Sequence, residues 1–290
     1  MPLRTSILGT LISIIVGILI TIGVSQNSVD FYGIPLIAAC FLYSYIIHWI
    51  FFVHGYLFQT EHYFDAIGSF TFVSLSLFLI FVVRDFYAFL VCSLVAIWSL
   101  RLGSFLFRRV KKSGRDTRFT EMKKNFFWFF LTWNLSALWV FLSYVAGMVA
   151  VTSKYSSELS FADYVFCSIG FLVWLFGFII EVIADNQKKK FKEDPNNKDK
   201  FISHGLWAWS RHPNYFGEIL LWIGIAIIAF PIFKNWDYLA LISPFFIYYL
   251  LVNVSGIPML EKAADKKWGT NEDYISYKDR TNILFLKKPD

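Results

Sequence analysis

Long uninterrupted apolar runs constrain this chain more than any other feature of its sequence. The first extends from Ile7 to Val24, and several later runs exceed 18 residues, the length that crosses the hydrocarbon core of a bilayer as a helix. The composition agrees, since 57% of residues are hydrophobic, 20% are aromatic and only 17% are charged, which lies outside the range of soluble domains. The sequence therefore predicts a polytopic membrane protein and excludes a soluble α/β protein with buried strands.

The spacing of these runs predicts an all-α bundle of eight transmembrane helices. The first run is longer than the apolar core of a signal peptide and lacks a small-x-small cleavage site, so we expect it to be a retained helix. A count of seven stays open if the third and fourth segments form one re-entrant pair. The predicted helices are 5–25, 32–53, 64–83, 86–107, 126–151, 161–184, 214–233 and 237–256.

Basic residues are concentrated in two of the connecting segments. Residues 108–124 hold eight Lys and Arg against two acids, and residues 185–213 hold seven against four. Because cytosolic loops are enriched in Lys and Arg, an even number of helices places both basic segments and both termini in the cytosol. The membrane itself, a bacterial inner membrane or the endoplasmic reticulum, stays open. The net charge of +6 then reflects contact with anionic membrane lipids, and it gives no indication of nucleic acid binding.

Nothing in the sequence separates a soluble domain from the membrane helices. We find no internal repeat, Gly/Ser linker or low-complexity tract. Residues 1–290 are therefore predicted to form one integral membrane domain that ends in a cytosolic tail, 257–290. Cys40, Cys92 and Cys167 lie in different apolar runs without metal-ligand or redox spacing, so we interpret them as packing residues and predict no metal site.

Ionisable residues near membrane depth are costly unless they face a cavity or a partner. Glu61, Tyr63 and Asp65 cluster at the start of the third helix. Arg101 and Arg108 lie seven positions apart on one face of the fourth. Charges near helix ends commonly extend to the headgroups, and we favour that interpretation for Asp65 and Arg108 taken alone. For the more deeply placed Arg101, a functional role is favoured.

A second polar stretch, from Glu181 to Glu218, lies between the sixth and seventh helices. Glu181 and Asp185 are four positions apart and share a helix face. The lysines after Asp185 suit a multiply charged phosphate ligand, although basic residues beside a membrane helix commonly do no more than set topology. Pro213 suits the first turn of a helix, whose positive dipole end would face the same aqueous pocket. We therefore expect residues 185–213 to be a cytosolic loop that forms a ligand pocket.

Four motifs give the C-terminal half of the chain a resemblance to a known family. They are Asp185-Asn-Gln-Lys-Lys-Lys-Phe-Lys-Glu-Asp-Pro195, Gly205-Leu-Trp-Ala-Trp-Ser-Arg-His-Pro-Asn-Tyr-Phe-Gly-Glu218, Val254-Ser-Gly-Ile-Pro-Met-Leu-Glu-Lys262 and Tyr274-x-x-Tyr277. With these motifs the chain resembles the DUF1295 branch of the steroid 5-alpha-reductase C-terminal superfamily over residues 165–285. The Gln-Lys-x-x-Phe-Lys element is also similar to one in sterol C14- and C7-reductases.

The resemblance implies a helical membrane fold in which residues 165–285 hold NADPH in a cavity open to the cytosol. It also implies hydride transfer to a conjugated C=C bond of a lipid-like substrate, with steroid, sterol, isoprenoid and enoyl compounds all open. Four of the implied cofactor residues, Lys188, Lys192, Arg101 and Arg108, would lie near the phosphates. The full implied set is Arg101, Arg108, Asp185, Lys188, Lys192, Arg211, Asn214, Tyr215, Glu218, Glu261, Tyr274 and Tyr277.

The chain departs from the animal steroid reductases at the residues that would protonate the substrate. Trp98 stands where a tyrosine would precede Arg101 by three residues, and Glu61 is only an approximate counterpart of the family's glutamate. This departure argues against a 3-oxosteroid substrate. Our hypothesis assigns proton donation to Glu61 or Tyr63, oriented by Asp65. We expect the apolar setting to raise the pKa of Glu61 so that it can donate a proton near neutral pH.

Two other functions stay open. Membrane isoprenylcysteine and phospholipid methyltransferases also carry Arg-His-Pro-x-Tyr-x-Gly, a later Glu and Tyr-x-x-Tyr, and would bind S-adenosylmethionine. The Gln-Lys-x-x-Phe-Lys element favours the reductase, because lysines match anionic NADPH whereas a sulfonium cation prefers acids and aromatic faces. A non-enzymatic lipid-binding protein is less favoured, since a scaffold has no need of buried polar groups such as Asp185, Asn214 and Glu218.

Overall fold

The computed structural model describes residues 1–113, 116, 119–156 and 159–288, which form ten α-helices and one short β-hairpin. Arg115 and Arg118, two of the basic residues counted in the segment 108–124, lie outside the described residues. The helices are α1 (Leu3–Val24), α2 (Leu36–Leu57), α3 (Phe64–Val83), α4 (Phe86–Ser113), α5 (Phe126–Thr152), α6 (Phe161–Glu193), α7 (Pro213–Ala229), α8 (Ile242–Tyr249), α9 (Ile257–Trp268) and α10 (Glu272–Arg280).

Eight helical segments among the described residues are long and apolar enough to cross a membrane, which confirms the predicted all-α polytopic bundle. The third and fourth predicted segments are separate helices, α3 and α4. Arg84 ends α3 in the left-handed conformation, and Asp85 then accepts a hydrogen bond from Ala88 N–H at 2.7 Å, which caps α4. The side of the membrane on which the termini lie stays a prediction.

A hairpin delays the start of the second helix. The strands β1 (Asp30–Phe31) and β2 (Ile34–Pro35) pair antiparallel. Their turn uses positive φ angles of 50° at Tyr32 and 87° at Gly33, and glycine adopts such angles at little cost. The helix predicted to begin at residue 32 therefore begins at Leu36.

The largest correction concerns the end of α6. Residues 185–213 are predicted to be a loop, but α6 continues to Glu193, so the motif from Asp185 to Lys192 is helical. The Gln and Lys side chains of this motif have high helix propensity, and lysines in the last turn complement the helix dipole. The helix ends just before Asp194-Pro195, where proline cannot continue it.

The last predicted span and the tail are more structured than expected. Residues 235–254 form in succession a 3-10 helix (Asn235–Leu241), α8 and a π-helical turn (Leu250–Val254). The predicted polar tail, 257–290, contains α9 and α10. Both helices carry residues of the site described below.

The chain divides into two compact units, of which the first comprises residues 1–164 and 229–243. Helices α1 to α4 all pack against α5 in this unit, and most α5 side chains are buried. Buried His48 lies 2.7 Å from Ser44 O and 3.1 Å from Ser136 Oγ, so this interior polar ring is satisfied within the unit. The second unit comprises residues 165–228 and 244–290, and the prediction of a single membrane domain stays a prediction.

Candidate functional site

Two pairs of glycines bring the backbones of α6 and α7 into contact within the second unit. A Cβ atom added to Gly170 would lie 2.6 Å from Gly224 O, and one added to Gly177 would lie 2.6 Å from Gly217 O. Small residues permit this close approach between membrane helices. Any side chain at these four positions would separate the two helices.

The same backbone contact positions three of the predicted acids. A Cβ atom on Gly217 would lie 2.7 Å from Glu181 N, so Glu181 on α6 lies beside the position that precedes Glu218 on α7. Glu181, Asp185 and Glu218 are all buried. Glu181 and Asp185 therefore lie on one buried face of α6, in agreement with their predicted spacing on a helix.

The segment after α6 folds back over the last turns of that helix. Gln187 Oε1 accepts a hydrogen bond from Leu206 N–H at 3.0 Å, and Trp207 Nε1–H donates to Ala184 O at 3.0 Å. The indole of Trp207 is thereby fixed with its ring centroid 4.2 Å from Lys188 Nζ. This cation–π contact holds the half-buried ammonium group of Lys188 in place.

Glu261 on α9 joins the segment before α7 to α10. Its Oε1 lies 2.9 Å from His212 Nε2, while its Oε2 lies 3.3 Å from Arg211 Nη2 and 3.7 Å from Lys278 Nζ. Arg211 also donates through Nη1 to Lys278 O at 3.1 Å and through its backbone N–H to Asn282 O at 2.8 Å. The predicted residues Arg211 and Glu261 are therefore in direct contact, although 50 positions separate them.

His212 packs against the predicted residue Tyr215. The two rings are stacked, with centroids 5.7 Å apart and an interplanar angle of 8°. Gly256 precedes α9, and a Cβ atom added there would lie 3.0 Å from the Tyr215 ring and 2.5 Å from Leu251 O. Burial lowers the pKa of His212 below its usual value, and the neighbouring Lys188 cation acts in the same direction against the opposing effect of Glu261.

The two predicted tyrosines fasten α10. Tyr277 O–H donates to Trp207 O at 2.7 Å, and Tyr274 O–H donates to Asp265 Oδ1 at 3.3 Å. Asp265 Oδ1 also lies 2.6 Å from Lys278 Nζ. Burial raises the pKa of Tyr274 to about 12 and raises that of Tyr277 further. Both phenols are therefore protonated donors near neutral pH, and their hydroxyl groups hold the second unit together.

Three buried polar atoms in this region have no hydrogen-bond partner among the described residues: His212 Nδ1, Arg211 Nε and Thr281 Oγ1. Ser210 Oγ donates to Leu284 O at 2.8 Å, so the segment before α7 lies along the segment that ends α10. We call residues 210–212 and 277–284 the polar seam. Buried unpaired polar groups cost free energy unless another molecule satisfies them, and these three can bind a ligand that both donates and accepts hydrogen bonds.

Glu61, the predicted proton donor in the first unit, has a different environment from the expected one. Lys123 Nζ lies 2.6 Å from its Oε2, and Asp116 N–H donates to its Oε1 at 3.1 Å. Burial acts to raise the pKa of Glu61, yet these hydrogen bonds outweigh burial and lower that pKa. The expected raised pKa is wrong, because the segment after α4 supplies the carboxylate with partners. The catalytic assignment of Glu61 itself stays a prediction.

The other predicted residues of the first unit lie at the start of α3 and in the second half of α4. Tyr63 is 46% exposed, and Asp65 Oδ2 lies 3.8 Å from Arg109 Nη2. Arg101 is half-buried and Arg108 is exposed, both on α4. Their predicted roles in proton donation and phosphate binding stay predictions.

Sequence reasoning missed three residues of the second unit: His212, Trp207 and Lys278. The first two stand inside a quoted motif, but the motif does not indicate which atoms would be left unpaired after folding. Lys278 follows one turn after Tyr274, a spacing that could have placed it on the same face of a helix. Asn214 is half-buried in the first turn of α7, and Lys192 is exposed on α6.

A protein-family model described as Protein of unknown function (DUF1295) matches residues 51–281. The chain is 29% identical over 101 residues to the Probable O-methyltransferase ustE of Ustilaginoidea virens, which covers 32% of this chain and 35% of that protein. It is 31% identical over 64 residues to the 3-oxo-5-alpha-steroid 4-dehydrogenase 1 of Homo sapiens, which covers 22% of this chain and 25% of that protein. The matches span about a quarter to a third of these curated relatives. No solved structure matches the chain.

Proposed function

The chain belongs to the DUF1295 family, and from that premise we propose that it is a multi-pass membrane reductase that uses NADPH to reduce a conjugated C=C bond. The substrate class is lipid-like, a steroid or sterol, isoprenoid or enoyl compound, and the site opens to the cytosol. The partial likeness to 3-oxo-5-alpha-steroid 4-dehydrogenase 1 supports an oxidoreductase. Membrane lipids are the other proposed partners, and nucleic acid is not one.

The position of Lys188 carries this proposal. Its ammonium group is half-buried, is held 4.2 Å from the Trp207 ring centroid, and acts electrostatically on His212. A lysine so fixed is a point charge suited to a phosphate group, and Lys192 follows one turn later on α6. The unpaired atoms of the polar seam suit the hydroxyl and amide groups of a dinucleotide. The residues present therefore fit NADPH, which would supply hydride.

In this proposal the side chains of the protein bind and orient NADPH. Lys188 binds phosphate, and the buried acids on α6 and α7 suit hydroxyl or amide donors. Proton donation stays with the earlier hypothesis, Glu61 or Tyr63 with Asp65 orienting the donor. Since Glu61 has a lowered pKa, Tyr63 is the favoured donor of the two.

Titration of the detergent-purified protein with NADPH, followed by energy transfer from tryptophan to the nicotinamide, tests the proposal. Lys188→Gln removes one charged contact and should weaken NADPH binding roughly tenfold or more. Lys190→Gln is the matched control, because Lys190 is exposed on the same helix, and its affinity should stay within about twofold. Wild-type protein that binds no NADPH would overturn the proposal.

A second candidate function is methyl transfer from S-adenosylmethionine. The buried acids Glu181, Asp185 and Glu218 are the residue type that suits a sulfonium or ammonium group when ionised, and a matched relative is named as a probable O-methyltransferase. Titration with S-adenosylmethionine in parallel separates the two functions. Tight S-adenosylmethionine binding without a response to NADPH would reverse their order.

A further inference from the structure

We infer that His212 binds the cofactor of the proposed site through its Nδ1 atom, which accepts a hydrogen bond from a hydroxyl or amide group of the nucleotide. In this inference Glu261 is a positioning residue that holds the imidazole in the tautomer with a free acceptor at Nδ1. The inference rests on the proposed function. It adds His212 to the predicted cofactor-binding residues, and it changes Glu261 from a cofactor-binding residue to a positioning residue.

The tautomer follows from the partners of Glu261. Arg211 Nη2 and Lys278 Nζ lie 3.3 Å and 3.7 Å from Oε2, and such cations favour the ionised carboxylate. An ionised carboxylate only accepts hydrogen bonds, so the 2.9 Å contact at Oε1 requires the proton on His212 Nε2. In a neutral ring the other nitrogen, Nδ1, is then an acceptor.

The orientation of the ring is fixed on several sides. Its face stacks on Tyr215, its Nε2 is bound to Glu261, and its backbone N–H donates to Ser210 Oγ at 3.1 Å. The side chain of His212 is only 5% exposed. Nδ1 is therefore held in one direction, and among the described residues it has no hydrogen-bond partner.

The charged groups around His212 favour its neutral form. Burial opposes a positive charge on the imidazole, and so do the cations Lys188 on α6 and Arg211 on the adjoining segment. The carboxylate of Glu261 on α9 favours that charge. Lys278 on α10 contacts Glu261 rather than the imidazole. The balance leaves the pKa of His212 lowered, so Nδ1 carries a lone pair at neutral pH.

An acceptor at this position selects the chemistry of what it binds. A phosphate oxygen is itself an acceptor and would be repelled by the Nδ1 lone pair, whereas a ribose hydroxyl or a carboxamide N–H can donate to it. We therefore place phosphate at Lys188 and the donor group of the nucleotide at His212. The unpaired Arg211 Nε and Thr281 Oγ1 belong to the same polar seam and can satisfy acceptors of the same ligand.

Two substitutions test the inference, because each can replace the hydrogen bond of only one of the two imidazole nitrogens. In His212→Asn the side-chain oxygen can occupy the place of Nδ1, while the contact with Glu261 is lost. In His212→Gln the amide can keep the contact with Glu261, while the acceptor at the Nδ1 position is lost. We expect the NADP⁺ affinity of His212→Gln to fall roughly tenfold and that of His212→Asn to fall less, because only the Asn variant keeps the acceptor.

The order of the two variants decides the outcome, measured by isothermal titration calorimetry on detergent-purified, monodisperse protein. Equal affinities for all three proteins, or a weaker Asn variant than Gln variant, would overturn the inference while leaving NADPH binding intact. Wild-type protein that binds neither NADPH nor NADP⁺ would sink the proposed function and this inference with it.

The pH dependence of wild-type affinity is a measurement that needs no variant. The pKa of His212 is lowered from 6.5, so as the pH falls below 6.5 protonation converts Nδ1 from an acceptor to a donor, and NADP⁺ affinity should fall. His212→Asn should lack this part of the fall and retain only the part due to the 2′-phosphate. An affinity that does not change with pH would contradict the inference.

Discussion

Two carboxylates, Glu61 in the first unit and Glu261 in the second, show how similar ion pairs can serve different purposes. Each lies next to a lysine and has a polar partner at both oxygens. The partners of Glu61 are Lys123 and a backbone N–H of the same connecting segment, so its contacts fasten one piece of chain. Those of Glu261 are Arg211, His212 and Lys278. Arg211 and His212 each have one buried atom with no hydrogen-bond partner in the part of the chain that the structure describes.

The packing around the two carboxylates differs as well. Phe64, three residues after Glu61, and Phe119 belong to an aromatic cluster in which their ring centroids are 4.8 Å apart, and such side chains can shift to accommodate change. In the second unit, backbone contacts between glycines set the α6–α7 spacing, and a backbone cannot shift without moving its whole helix. The comparison shows that Glu61 contacts one connecting segment, whereas Glu261 contacts residues of two segments; under the proposed function, Glu261 orients groups for a ligand.

The strongest test of this contrast adds one methyl group to each unit. Gly177→Ala places a Cβ atom 2.6 Å from Gly217 O, whereas Gly23→Ala places one 2.5 Å from a terminal methyl of Leu239. We expect Gly177→Ala to lower the free energy of unfolding by about 3 kcal/mol and to abolish NADPH binding. Gly23→Ala should cost less than about 1 kcal/mol, because the Leu239 side chain can rotate. Thermal unfolding in detergent measures both, and equal losses would remove the distinction in packing.

The next largest effect should come from exchanging each carboxylate for its amide. Glu261→Gln removes the charge that orients His212 and should weaken NADPH binding roughly tenfold. Glu61→Gln should leave NADPH affinity unchanged, lower the free energy of unfolding by about 1–2 kcal/mol, and expose the segment after α4 to proteolysis. Loss of turnover in Glu61→Gln with affinity and stability retained would instead support its catalytic assignment.

The helices could be predicted from sequence far better than these contacts. Apolar runs longer than the bilayer core admit few alternatives to a helix, so the existence of all eight spans could be predicted from the positions of these runs, although the start of α2 at Leu36 could not. The extension of α6 to Glu193 could not be predicted, because a charged helix that leaves the membrane has the same composition as a loop. Residues of the Arg-His-Pro motif were identified, but the pairing of His212 with Glu261 depends on how α9 packs, which no local pattern encodes.

Acidification should separate the contribution of His212 to stability from that of Glu61. The pKa of His212 is lowered from 6.5, so the unfolded chain takes up its proton first; this stability is complete above pH 6.5 and is lost as the pH falls from there. The pKa of Glu61 is lowered from 4.5, so its contribution is complete above pH 4.5 and is lost as the pH falls through the folded-state value. The melting temperature should therefore fall in two steps.

Variants assign each step of that profile. His212→Asn should remove the step that begins near pH 6.5. Glu61→Gln should reduce the step that begins near pH 4.5, to which other paired carboxylates such as Glu261 also contribute. A profile with both steps intact in either variant would show that other groups control acid stability.

The smallest expected difference lies between two adjacent lysines, and it tests whether Glu61 fastens the connecting segment. Lys123 is 25% exposed and is paired with Glu61, whose side chain is 4% exposed, while Lys124 is 63% exposed and is paired with Glu121 at 68%. Exposed pairs of the second kind contribute little, because water and salt screen both charges. Lys124→Ala should therefore change the free energy of unfolding by less than about 0.5 kcal/mol, and Lys123→Ala should lower it by about 1 kcal/mol.

Because the two residues are neighbours on one segment, differences in expression or membrane insertion should cancel. Equal values would mean that the aromatic cluster alone holds this segment and that the Glu61 carboxylate is available for another role.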